Sequence, residues 1–368
     1  MSDNKFKEKI QFASKASVKN RLVMSPMTTT LSFHNGKVTS DEVGYYGNRS
    51  GDVGMVITGT ANINSLGKGY DGELSVESDE MIPSLAKIAY AIKRNGTKAI
   101  LQIFHVGRTV TSTTLKGKQP VSASSIPQDV EGAEIPRELS EEEIQQIIVD
   151  FELATIRAIK AGFDGVEIHG ANNYLIQQFF SPHSNRRMDK WGGSKEKRYL
   201  FVKEVIDSVN KAVETMTTEP FIVGYRFSPE EPMAPGITIE DTLYLVDKLA
   251  NEKLDYLHVS LSKYNKFPHS KNYQEKSVLE YIYTVINKRI PLISVGGVKD
   301  SKDVNNALEF SDMVAIGKQM IIDPRWAGKV LNGKDHLIRP YIVKEERNEF
   351  IPDALWDFMQ PMFKGLIK

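Results

Sequence analysis

The chain of 368 residues has no cysteine, no net charge and no apolar run long enough to cross a bilayer. Each absence removes a class of function. Without cysteine there are no disulfides, no thiolate nucleophile, and no Cys-ligated zinc or iron–sulfur cluster. The lack of disulfides fits a reducing cytosol. Lys+Arg and Asp+Glu each total 47, so the basic surplus that nucleic acid or an anionic membrane would call for is missing. The start of the chain, Met1-Ser2-Asp3-Asn4-Lys5, lacks the apolar stretch of a secretory signal. No Pro/Gly/Ser-rich linker, low-complexity tract or composition shift divides the sequence, which reads as one domain over residues 1–368. The expectation is a soluble, cytoplasmic protein that handles small molecules, alone or as a homo-oligomer.

What the chain does contain is alternation. Short apolar, β-rich runs recur at residues 21–27, 55–63, 98–106, 165–169, 221–227, 256–260, 291–295 and 313–316. Several are almost continuously apolar, as parallel strands covered on both faces should be. The stretches between them read as helices. The clearest spans 141–161, where Ser140 and Glu143 form a capping-box pattern, Ile144, Ile147, Ile148, Phe151, Leu153 and Ile156 supply an apolar face, and Gly162 is a stop. Thr238 and Asp241 repeat the cap pattern before 243–249. Eight strand–helix units predict an α/β fold, a single (β/α)₈ TIM barrel with right-handed crossovers. Residues 109–138, after the third strand, and 262–276, after the sixth, are too long for simple connections. Both follow C-terminal strand ends, where such a barrel places its active site, and are candidate lids.

The C-terminal strand ends are Thr28, Thr60, Gln102, His169, Arg226, Ser260, Gly296-Gly297 and Gly317-Lys318, far more polar than the strands that lead to them. Barrel closure would bring all of them to one mouth. The glycines after strands seven and eight would let backbone approach a phosphate, and Lys318 adds a cation. Arg226 would place a fixed positive charge beneath a ligand, or would pair with Glu167, whose carboxylate otherwise lies unpaired inside the barrel. Gln102 offers an amide to a ring edge. His169 and Asn172 are three apart, so a helical turn after His169 would put both on one face, with the Tyr174 phenol nearby as an acid. Spacing alone leaves a hydrogen-bonded core histidine equally open.

The segment V-E-I-H-G-A-N-N-Y-L-I-Q-Q-F-F-S-P-H-S-N-R-R-M-D-K-W-G-G-S closely resembles the Old Yellow Enzyme family of FMN-dependent NAD(P)H oxidoreductases. So do N-R-L-V-M-S-P-M-T, L-Q-I-F-H-V-G-R, I-S-V-G-G and I-G-K, in the same order from about Asn20 to Trp326. The resemblance implies a barrel with FMN at its mouth and NADH or NADPH as reductant. Pro26, Met27, Thr28 and Thr60 would lie against the flavin, Gln102 by its pyrimidine, Arg226 by its N1/O2 edge, and Gly296, Gly297, Gly317 and Lys318 around its phosphate. His169 and Asn172 would bind a substrate oxygen, and Tyr174 would donate a proton.

The sequence departs from the family's pattern at several points. Lysine stands at 318 where the family usually has arginine, which makes a bidentate phosphate contact that lysine does not. Thr28 and Thr30 replace the cysteine and tyrosine of one branch, and Asn172 replaces the second histidine of that branch. The tail, 350–368, carries no recognisable motif. Two other readings stand beside the flavoenzyme: a flavin-free phosphate-binding isomerase or lyase using His169 and Glu167, and a flavin-binding redox sensor. The natural acceptor and the choice between NADH and NADPH stay open, because such barrels lack the G-x-G-x-x-G dinucleotide unit.

Overall fold

Each of the eight apolar runs contributes a strand in the computed structural model, which describes residues 5–368; Met1–Asn4 of the N-terminal reading lie outside it. The strands are β1 (Leu22–Met24), β2 (Met55–Asn62), β3 (Lys98–Phe104), β4 (Gly165–Gly170), β5 (Ile222–Phe227), β6 (Tyr256–Val259), β7 (Leu292–Val295) and β8 (Met313–Ile316). All pair in parallel with their sequence neighbours, and β1 pairs with both β2 and β8, so the sheet closes. This is the expected barrel. One boundary moved: the first run leaves the sheet after Met24, three residues early. Pro26 has no N–H to extend the ladder, so residues 25–28 become a loop at the mouth.

Burial on both faces explains the apolar continuity, since every residue of β2 is buried. Inside the barrel the lower layer is apolar, built from Val23, Met55, Ile57, Ile100, Ile222, Ile293 and Met313. A short hairpin, Ile10–Gln11 with Ser17–Val18, plugs the bottom and adds Phe12, Ala16 and Val18 to that layer. The sequence reading did not include this hairpin. Above it Gly224 of β5 faces Glu167 and Tyr256 in register. A Cβ at Gly224 would run into the Tyr256 ring, so glycine makes room for that ring inside the barrel.

The helices are α1 (Ser40–Arg49), α2 (Ile82–Lys93), α3 (Glu141–Lys160), α4 (Leu175–Phe180), α5 (Lys195–Met216), α6 (Ile239–Leu249), α7 (Val278–Ile286), α8 (Ser301–Ala307), α9 (Lys318–Ile322), α10 (Trp326–Leu331) and α11 (Asp353–Met359). Both expected capping boxes form, Ser140 with Glu143 and Thr238 with Asp241. The buried face of α3 differs from expectation in its second half. It continues through Ala154, Thr155 and Ala158, whereas Leu153 and Ile156 are half-buried. Helical spacing from Phe151 leads to those small residues, which fit a close approach to neighbouring elements.

Within residues 109–138, strands Val121–Ser122 and Arg137–Glu138 pair with each other in a small sheet separate from the barrel. The second insertion, 262–276, is mostly exposed and is tied to the barrel where the Tyr264 N–H donates to Gly296 O at 3.0 Å. No helix among the described residues is long and apolar enough to cross a membrane.

Candidate active site

At the C-terminal end of β7 and β8 lies a cavity of about 680 Å³, walled by Pro26, Met27, Arg226, Gly296, Gly297, Gly317 and Lys318 among others. These come from four separate stretches of chain, so barrel closure alone brings them together. Gly296 has φ +112, and a Cβ there would strike the backbone after β6; only glycine lets the two loops meet at this wall. Lys299, Asp300 and Asp335 also border the cavity. The two carboxylates accept backbone N–H groups of α8, Asp300 from Asp303 at 3.1 Å and Asp335 from Ser301 at 2.7 Å.

The tail supplies part of the same wall, a placement the sequence did not indicate. Leu366 lines the cavity, and the Lys318 ammonium sits 5.6 Å from the centre of the Phe363 ring. A bridge between Ile342 and Ile367 holds the tail in place.

Arg226 is a buried cation at the cavity wall, and its Nε has no hydrogen-bond partner among the described residues. Its Nη2 donates to Ser260 Oγ at 3.2 Å. The expected pairing with Glu167 is not a direct contact. Glu167 instead accepts from Gln102 Nε2 at 2.6 Å and lies 2.9 Å from His258 Nδ1. Burial alone would push the Glu167 carboxyl up, but His258, the Arg226 charge and Gln102 more than offset it and hold it ionised. Burial pushes His258 below the ordinary imidazole range, so it is neutral and donates its Nδ1–H. Glu167 is thus enclosed in a barrel-interior network and does not face the mouth, which removes the isomerase reading's second catalytic group.

Thr28, Thr60 and Gln102 are not among the cavity walls. Thr60 is buried, donates to Glu73 Oε1 at 2.8 Å and lies 3.0 Å from the Tyr70 hydroxyl. Thr28 also lies near the Tyr70 hydroxyl. Burial holds the Glu73 carboxyl well above its ordinary range, so these residues form a neutral hydroxyl–carboxyl cluster. The sequence reading missed Tyr70 and Glu73. The available signal was Thr60 itself, a polar group on an otherwise apolar strand that needs partners.

The β4 end carries the other candidate residues, and its local backbone differs from the helical turn that spacing suggested. Asn172 and Asn173 both have positive φ, +57 and +62. Asparagine tolerates this left-handed conformation better than most residues. The chain therefore reverses sharply, Tyr174 becomes the N-terminal cap of α4, and Asn172 is left exposed at the mouth. His169 Nδ1 accepts the Ala171 N–H at 3.2 Å, which leaves the ring proton on Nε2. Burial first, then the charge of Arg226, keeps the imidazole neutral well below its ordinary pKa. Tyr174 stands edge-on to His169, ring centres 4.9 Å apart. Burial, then nearby Glu73, raises its phenol, so it stays protonated. Arg226, in the cavity wall, pairs in register with His169 on the neighbouring strand, while His169, Asn172 and Tyr174 are not themselves among the cavity walls.

Much of the motif around α4 is scaffold. Gln178 accepts from Ser122 at 3.0 Å, and Arg187 donates to Ala123 O at 3.1 Å and Leu139 O at 2.8 Å. Arg108 similarly holds Ile126 O at 2.9 Å. These bonds brace the first insertion over the barrel.

The fold and the cavity together define, by class, a (β/α)₈-barrel protein with a glycine-lined pocket at its C-terminal mouth and Arg226 and Lys318 in the wall. The model of the NADH:flavin oxidoreductase / NADH oxidase family matches residues 8–336, and the chain belongs to this family, that of Old Yellow Enzyme. It is 43% identical over 360 residues to an NADH:acrylate oxidoreductase of Vibrio harveyi, and 43% identical over 347 residues to an NADH:fumarate oxidoreductase of Klebsiella pneumoniae (strain 342). These matches cover 96% and 93% of this chain but only 36% and 37% of the two relatives. A Bacillus subtilis (strain 168) protein named "Probable NADH-dependent flavin oxidoreductase YqiG" is 39% identical, covering 95% of this chain and 94% of its own length. Among solved structures, morphinone reductase in complex with tetrahydroNAD superposes with TM-score 0.76 at 27% identity, covering 89% of this chain and 91% of that one.

Proposed function

We propose that the protein is an FMN-dependent NAD(P)H oxidoreductase that reduces electron-poor small molecules, such as activated alkenes, quinones, nitro-compounds or free flavin, in a ping-pong cycle. When bound, FMN supplies the hydride chemistry, linking NADH or NADPH to the acceptor. The residues fit such a group. Gly296, Gly297, Gly317 and Lys318 would hold its phosphate, Pro26 and Met27 would lie against it, and the orphaned Arg226 Nε would find a partner. Thr28, Thr60 and Gln102 would border its ring from the barrel side.

The chain's own work lies at 169–174. His169 Nε2–H and the Asn172 amide are neutral donors that would stabilise negative charge gathering on an acceptor oxygen. The Tyr174 phenol, kept protonated by its surroundings, is the general acid, a role worth about 10²- to 10⁴-fold in rate. Acrylate and fumarate, for which two relatives are named, are alkenes conjugated to a carboxylate and match this donor set. Residues 109–138 and 262–276 would act as lids. A cytoplasmic setting supplies NADH and NADPH, and the partners are small molecules.

The observation that supports the reading best is that Arg226, in the wall of the glycine-lined cavity, pairs in register with His169 on the neighbouring strand, close in sequence to Asn172 and Tyr174. The experiment is anaerobic titration of the purified yellow protein with NADH and NADPH. Bleaching is expected; protein that stays colourless even with added FMN would overturn the reading. Tyr174→Phe should keep bleaching but slow enone turnover at least about 100-fold. Equal loss of both half-reactions would remove Tyr174 as the acid.

A further inference from the structure

We propose that Ser260 is a positioning residue which, with Ser228, holds the Asn172 side chain as a hydrogen-bond donor toward the mouth, and that Arg226 supports this through Ser260. The inference rests on the reading that Asn172 meets the substrate oxygen. It follows from counting hydrogens. Arg226 Nη2, which can only donate, points at Ser260 Oγ at 3.2 Å. That occupies an acceptor site of the hydroxyl, and its single hydrogen goes to Asn172 Oδ1 at 3.0 Å. Ser228 repeats the arrangement. Its Oγ accepts the Asn172 backbone N–H at 2.9 Å and sends its own hydrogen to the same Oδ1 at 3.4 Å.

Both hydroxyls therefore converge on one amide oxygen. A reversed amide would set its NH₂ on serine oxygens that already receive a donor each, and would turn both hydroxyl hydrogens away from the acceptor they share. The amide is held with Oδ1 toward the protein and Nδ2 toward the open mouth, where Asn172 is exposed. Three strand ends cooperate: the loop after β4 supplies the amide, β5 supplies Arg226 and leads into Ser228, and β6 leads into Ser260. The guanidinium on the cavity side is thereby coupled to a substrate donor that it does not touch. The mouth is set to grip acceptor oxygens of carbonyl, carboxylate or nitro groups. A ligand hydroxyl, which must also place its own hydrogen, gains less.

The test is calorimetric binding to the oxidised holoenzyme without nicotinamide, using cyclohex-2-enone and cyclohex-2-enol as probes. Ser260→Ala should weaken the ketone about tenfold, the loss of one oriented hydrogen bond, and the alcohol far less. Ser228→Ala should act in the same direction but more weakly, given its longer bond. Ser260→Thr, which keeps the hydroxyl, should restore ketone binding. In an Asn172→Ala background the Ser260→Ala effect should vanish, because the serine acts only through the amide. Full additivity of the two substitutions, or unchanged ketone preference in Ser260→Ala, would overturn the proposal while leaving the functional reading intact. If Asn172→Ala alone leaves ketone binding unchanged, the substrate-site reading falls and takes this inference with it.

Discussion

Glu42, on the first turn of α1, shows how one buried side chain can govern stability beside the site. Its carboxyl accepts from Thr29 Oγ1 at 3.2 Å and Ser32 Oγ at 2.6 Å. Burial pushes it up to about 7, only partly offset by those hydroxyls. The native state therefore keeps a proton that the unfolded chain releases above its ordinary value of 4.5. Glu42's contribution is full below that value and is lost as pH rises toward about 7. At about 1.4 kcal/mol per pH unit the loss reaches roughly 3 kcal/mol. Glu42→Gln should flatten the dependence of the urea midpoint on pH between 5 and 8; an unchanged slope would assign the dependence elsewhere. None of this was legible in the sequence, where Glu42 reads as an ordinary acidic residue at a helix start. The same holds for Asn172 and Ser260. Their residue types were visible at the strand ends, but the hydrogen-bond directions that give them roles depend on Arg226 and Ser228, both more than thirty positions from one partner or the other.

At the scale of elements, the locally encoded features were the readable ones. The two capping boxes form as their four-residue patterns predict, since cap and partner lie within one helical turn. Strand positions followed apolar runs for a similar reason. The turn after His169 was not readable, because adjacent asparagines are compatible with a helical turn or with positive φ, and here they take positive φ with Ser228 accepting the Asn172 N–H. Gly224 is another case: sequence shows a glycine within a strand, and only the Tyr256 ring from β6 explains it. Gly224→Ala should overpack the barrel interior at a cost of about 1–3 kcal/mol or more, read as a lower midpoint in calorimetric melting. An unchanged midpoint would show that the ring steps aside freely.

The whole molecule decides what the cavity is made of. Part of its wall, Leu366, comes from the tail, hundreds of residues from β1 in the sequence, and Phe363 of the tail is buried beside the Lys318 ammonium. A cation held over an aromatic face is worth about 0.5–1 kcal/mol, and here it fixes the cation proposed for the phosphate. Phe363→Leu keeps the position apolar and removes the ring face. It should weaken FMN binding about two- to fivefold, measured by the fluorescence of flavin released on dilution. Unaltered affinity would mean that Lys318 needs no such support. The insertion 109–138 belongs to this scale as well, since Arg108 beyond β3, Gln178 of α4 and Arg187 beyond α4 all bond to it.

By itself the sequence determined the strand–helix alternation, the barrel class, the glycine-rich strand ends and the family to which these belong. Such features are written in local composition and short-range spacing. Tertiary structure alone decided that Glu167 is enclosed with Gln102 and His258, that the tail walls the cavity, and that two serines and an arginine orient the Asn172 amide. The physical reason is the same in each case. A hydrogen bond or a cavity wall is specified by where closure places groups that are distant in the chain, and closure is a property of the eight strands together.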